Sequence, residues 1–144
     1  MLAPSNRSLR RILAYSYRKT GRYREAAVYL KSLLREKPRD QEILIEYSGC
    51  LYRTGARRYA LDLLQKARDL FSESGNISLA LGIMNYREKN VEKAFDLFRE
   101  AASLSPKDPR PYEWMAEAAR KNGDGDWSHY KNEASKRKIF KKPQ

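Results

Sequence analysis

The sequence predicts an all-α chain, a tandem array of antiparallel helix pairs with about eight helices. Three observations predict it. The stretch Thr20-Gly21-Arg22-Tyr23-Arg24-Glu25-Ala26-Ala27 returns 34 residues later as Thr54-Gly55-Ala56-Arg57-Arg58-Tyr59-Ala60-Leu61, and again as Glu88-Lys89-Asn90-Val91-Glu92-Lys93-Ala94-Phe95. Asn6, Asp40, Ser74 and Asp108 keep the same period, and each side chain can accept a hydrogen bond from the free amides of a starting helix. Apolar residues between these markers recur at spacings of three and four, the spacing of one helix face.

Each unit begins at its capping residue, and after Asp108 the missing amide of Pro109 suits the first helical position. First helices run to Gly21, Gly55, Lys89 and Gly123. Glycine there permits the left-handed turn that ends a helix; where Lys89 replaces it, Asn90 is expected to take that turn one residue late. Second helices carry their buried faces on Ala26, Leu30 and Leu33, then Ala60, Leu64 and Ala67, then Ala94, Phe98 and Ala101. The first helices match them with Leu13, Ala14 and Tyr17, then Tyr47, Ser48 and Leu51, then Leu81 and Gly82, then Met115, Ala116 and Ala119. Pro38 and Pro106 stop two of the second helices. The last helix starts near Asp126 after a two-residue insertion and buries Tyr130 and Ala134, reading as a terminal cap with a polar outer face.

The period, the elbow glycine and the aromatic and alanine that follow it, together with the closing proline, resemble the tetratricopeptide repeat (TPR). The resemblance covers residues 7–40, 41–74 and 75–108 as full repeats, 109–138 as a partial repeat with its capping helix, and leaves 139–144 as a basic tail. It implies a single domain over 1–144, wound as a right-handed superhelix. Arg10, Leu44, Ser78 and Tyr112 stand where the family carries an early tryptophan.

Composition agrees with a folded binding protein. Hydrophobic residues make up 41% of the chain, with ten Tyr and two Trp, enough for a packed core beside 33% charged residues. The start lacks the apolar run of a signal peptide and no stretch is apolar enough to span a membrane, so a soluble, cytoplasmic protein is expected. The single cysteine, Cys50, suits a reducing compartment. The net charge of +12 is unevenly placed. Residues 1–40 hold eleven Lys and Arg against three Asp and Glu, residues 109–144 hold nine against five, and both units between are neutral. That pattern suits an acidic partner.

Catalysis is not expected. His129 is the one histidine, Cys50 reads as a small packing residue, and the paired Glu113 and Glu117 read as a solvated helix face. There is no phosphate-cradling glycine loop and no Cys/His cluster at metal spacing, so no cofactor and no metal are expected.

The informative surface is the first-helix stripe that turns about 130° away from the buried one, at roughly 100° per residue. It resembles the lining of the concave groove of TPR domains. It includes Arg11, Tyr15 and Arg18, then Ile45 and Tyr52, then Leu79, Ile83 and Tyr86, then Arg120, and the next position is basic in every unit, at Lys19, Arg53, Arg87 and Lys121. The groove is read as holding a peptide or helix with an apolar centre and acidic flanks, making the chain an adaptor, chaperone or assembly scaffold. The clamp with which some TPR domains grip a terminal carboxylate is not matched, since its positions hold Arg11, Tyr15, Glu46, Asn76 and Ala80. Self-association through the same groove is a second possibility. The competing class is polyanion binding, of nucleic acid or acidic lipid, through Arg7, Arg10, Arg11, Arg18, Lys19, Arg22 and Arg24 and the stretch Lys136 to Lys142.

Overall fold

The computed structural model describes residues 5–139. They form eight α-helices: α1 (Arg7–Lys19), α2 (Tyr23–Glu36), α3 (Gln41–Arg53), α4 (Arg57–Leu70), α5 (Gly75–Arg87), α6 (Val91–Leu104), α7 (Arg110–Lys121) and α8 (Trp127–Ile139). The basic stretch beyond Ile139 lies outside the described residues. The chain divides into two compact units, Met1–Leu70 and Phe71–Gln144. In the N-terminal unit α1 pairs with α2, α2 packs on α3, and α3 pairs with α4; the C-terminal unit repeats the scheme with α5 to α8.

The caps form as their chemistry requires. Asn6, Asp40 and Ser74 accept from the amides of Leu9, Ile43 and Ile77 at 3.1, 3.2 and 3.3 Å. In the fourth hairpin the helix begins one residue later than expected, at Arg110: Pro109 has helical dihedrals but stands outside the helix, and Asp108 accepts from the Arg110 amide at 2.9 Å.

At the elbows, Gly21, Gly55 and Gly123 lie at φ 77, 101 and 71°. The amide after each bonds a carbonyl five residues back: Arg22 to Tyr17 at 2.8 Å, Ala56 to Leu51 at 3.0 Å, Asp124 to Ala119 at 2.9 Å. The third elbow corrects the expectation for Asn90. Lys89 itself adopts the left-handed conformation at φ 67°, and Asn90 donates its amide to the Asn85 carbonyl at 2.9 Å with φ −84°. The two-bond closure of the helix end requires the turn at that one residue, so a side chain is forced into it. A left-handed L-residue costs about 1–2 kcal/mol, partly offset by the entropy that glycine loses on folding, so Lys89→Gly is expected to stabilise the chain by about 0.5–1 kcal/mol. An unmoved or lowered urea midpoint would count against this.

Each unit has its own core. In the N-terminal unit Ala14, Ala26, Tyr29, Leu30, Leu33, Ile43, Tyr47 and Cys50 pack together. In the C-terminal unit Phe98 is enclosed by Leu79, Ala94, Ala101, Ala102 and Met115. The hairpins match a small residue on the first helix with a large one on the second: Gly82 sits against the Phe98 ring, where an added Cβ would lie 2.7 Å from Cε1. Ser48 occupies the small position of its hairpin, is fully buried, and its hydroxyl finds no partner among the described residues. An unsatisfied buried hydroxyl costs about 1–3 kcal/mol, so Ser48→Ala is expected to raise stability by about 1 kcal/mol in thermal or urea unfolding. A loss on this substitution would mean that the hydroxyl is satisfied.

Candidate functional site

Of the four tryptophan positions of the repeat, the second is filled by the buried Leu44 and the other three by polar contacts reaching across the hairpin. Arg10 is buried, 4% exposed, donating to Ser32 Oγ at 2.6 Å and to the Glu36 carboxylate. Ser78 donates to Glu100 at 2.6 Å. Tyr112 lies under the Arg137 guanidinium at 3.9 Å, which also bonds the Pro106 carbonyl at 2.8 Å. Arg10, counted from sequence among the cations available to a polyanion, is thus a core group. The Arg10 hydrogen bond holds the Glu36 carboxyl below its ordinary range.

On the stripe of the N-terminal unit, Arg11 pairs with Glu42 at 2.7 Å and with Glu46 at 3.0 Å, and Arg18 pairs with the same Glu46 at 2.9 Å. Glu46 thus neutralises two cations that the sequence assigned to a partner. A pairing one repeat apart along the chain is the signal that would have found it. Tyr52 is buried and Ile45 half-buried, while Tyr15 is 57% exposed. Lys19 holds its ammonium 5.4 Å from the Tyr15 ring and Arg53 its guanidinium 5.5 Å from Tyr23. Both cations are exposed, and among the described residues no carboxylate pairs with either. Beside Arg53 a cleft of about 410 Å³ is lined by Gly21, Arg22, Tyr23, Arg24, Glu25 and Thr54.

In the C-terminal unit, Leu79 is buried, and Ile83 and Tyr86 pack against the same core, Tyr86 edge-on to Trp114 at 5.9 Å. Trp114, which sequence reasoning did not single out, takes much of the apolar surface assigned to a ligand. Arg87 is exposed with no carboxylate partner among the described residues. Lys121 stands 5.8 Å from the Tyr86 ring and 3.4 Å from Glu117, which also binds Arg120 at 2.9 Å. The Arg120 hydrogen bond, then that of Lys121, lowers the Glu117 pKa.

The terminal cations are engaged as well. Lys136 and Arg137 both bond Glu133, at 2.8 and 2.9 Å, and hold its carboxyl down at about 2; Lys138 meets Glu113 at 2.5 Å. His129 is exposed, edge-on to Tyr130 at 5.6 Å. Burial pushes the Cys50 thiol up to about 11, far from the reactive range. Among the described residues no three His, Cys, Asp or Glu could hold a metal ion, and no helix is long and apolar enough to cross a membrane.

The chain is a helical array of 34-residue hairpins in which exposed cations near the elbows lie over tyrosine rings. Comparison with known proteins agrees on the architecture. Two tetratricopeptide repeat family models match, over residues 17–73 and 57–109, together most of the chain. No curated protein matches. A crystal structure of MamA is similar at 21% identity and a TM-score of 0.74, covering 96% of this chain and 81% of that one. MamA 41-end from Desulfovibrio magneticus RS-1 is similar at 13% identity and a TM-score of 0.73, covering 96% and 78%. At these identities the likeness is one of fold. The repeat period, the four elbows and the matched family models place the chain in the tetratricopeptide repeat family.

Proposed function

We propose that this chain is a non-enzymatic interaction module, an adaptor, chaperone or assembly scaffold, whose first-helix faces bind acidic, apolar-centred segments of a protein partner. The N-terminal unit offers Tyr15, Lys19 and Arg53, and the C-terminal unit offers Arg87 beside the half-buried Ile83. The observation that carries the reading is the division of labour among cations. Arg11, Arg18, Arg120 and Lys136 to Lys138 are neutralised by carboxylates of the chain itself, whereas Lys19 and Arg53 lie over tyrosine rings without one. A cation held on an aromatic face is positioned before a ligand arrives, which lowers the entropy lost on pairing with a carboxylate.

Labelled peptides with one apolar centre and either Asp/Glu or Lys flanks provide the test, read by fluorescence anisotropy. The acidic set is expected to bind with affinity that falls as salt rises. Lys19→Glu with Arg53→Glu is expected to weaken it about tenfold or more at an unchanged melting temperature, since two exposed charge-assisted contacts of modest strength are reversed. Equal binding of both peptide sets, or an unaffected variant, would overturn the reading.

A further inference from the structure

One face of α1 differs from its repeat equivalents. Ile43 and Cys50 on α3, 1% and 2% exposed, are covered by Tyr29 and Leu33 of α2, which share their core. On α7 the equivalent residues, Pro111 and Ala118, are buried as well. On α1 the residues one repeat before Ile43, Glu46 and Cys50 are Leu9, Ile12 and Ser16. Leu9 is 44% exposed, Ile12 is 60% exposed, and Ser16 is exposed. The face that α2 covers on α3, and that is buried on α7, thus stands open at α1, with aliphatic residues still in place.

Charge selects what closes it. Of the eleven cations in residues 1–40, Arg7, Arg10, Arg11, Arg18 and Arg22 are paired with carboxylates, whereas Lys31, Arg35 and Lys37, on α2 and just after it, are exposed with no carboxylate partner among the described residues; the three anions of the stretch, Glu25, Glu36 and Asp40, are all paired. A second copy would bring an equally basic face. We propose that the open face of α1 docks an acidic amphipathic helix of another protein, which lays a stripe of Leu and Ala side chains at i, i+4 and i+7 over Leu9, Ile12 and Ser16, as α2 lies on α3. This site is separate from the stripe of Tyr15, Lys19 and Arg53.

Two stapled helical peptides about four turns long test it, sharing one Leu/Ala stripe and carrying Glu or Lys along its edges. Their binding to the full chain is read by anisotropy, beside Leu9→Ser/Ile12→Ser, whose changes fall on exposed positions, and Lys19→Glu/Arg53→Glu. The Glu helix is expected to bind the wild type at least about tenfold more tightly than the Lys helix, and to lose about tenfold or more in Leu9→Ser/Ile12→Ser. Absence of binding by the Glu helix, or undiminished binding to Leu9→Ser/Ile12→Ser, overturns the proposal. Loss only in Lys19→Glu/Arg53→Glu would move the helix to the other stripe and overturn this site while leaving the proposed function standing. A wild-type dimer in sedimentation that Leu9→Ser/Ile12→Ser dissolves assigns the face to a second copy. Sedimentation with phosphatidylserine vesicles that the same variant abolishes assigns it to a membrane surface. Either result overturns the proposal.

Discussion

Trp114→Ala is expected to destabilise the chain by about 2–3 kcal/mol, below the usual 3–5 kcal/mol for deleting a large aromatic because the indole is only half-buried. The indole stacks on Phe98 at a centroid distance of 6.2 Å and receives the edge of Tyr86 at 5.9 Å, so one ring joins α5, α6 and α7. Aromatic pairs of this geometry contribute about 0.5–1.5 kcal/mol each beyond their buried area. Trp114→Phe, which keeps one ring, is expected to lose roughly half as much. Urea unfolding followed by circular dichroism measures both, and limited proteolysis checks the corollary that Tyr86 becomes accessible. A cost under about 1 kcal/mol for Trp114→Ala would show that the ring is surface decoration.

Gly82→Ala is expected to destabilise by up to about 2 kcal/mol, although alanine is the better helix former. The gain in helix propensity is about 1 kcal/mol, and overpacking a filled core costs about 1–3 kcal/mol. Overpacking wins because the new Cβ would lie 2.7 and 2.8 Å from two carbons of Phe98 and 3.2 Å from Leu97 Cβ. Phe98 is fully buried and stacked on Trp114, so its ring has nowhere to move. The other hairpins show the compensation, with Ala14 beside Leu30 in one core. Phe98→Leu in the Gly82→Ala background is therefore expected to cost less than Phe98→Leu alone, a coupling that a double-mutant cycle reads directly. Additive costs would mean that the two positions do not constrain one another.

These residues mark how far the sequence could be read. Gly82 was legible as part of a buried stripe, because a stripe follows from helix periodicity alone; the partner that makes alanine too large was not. Trp114 gave no signal in the repeat pattern, because its role depends on Tyr86 and Phe98 arriving from other helices. Lys89 was misread for a related reason. Asparagine tolerates the left-handed conformation better, but the position of the turn is set by the closing hydrogen bonds of the helix end, which bind the residue to a place and not to a preference.

The sequence by itself determined the eight helices, their caps at Asn6, Asp40 and Ser74, the elbows at Gly21, Gly55 and Gly123, and the family, because each rests on local chemistry: one side chain meeting an amide a turn away, one residue leaving the right-handed region, one apolar face per helix. The tertiary structure alone decided which residues of the exposed stripe remain available to a partner. Periodicity gives the direction in which Arg11, Arg18, Leu79 and Tyr86 point, and the structure places Glu46 against the first two and the Phe98–Met115–Trp114 core against the others. It also left Lys19 and Arg53 over their tyrosines and the face of α1 open. Pairing energies depend on separation and desolvation between groups far apart in the chain, quantities that exist only once the hairpins have packed.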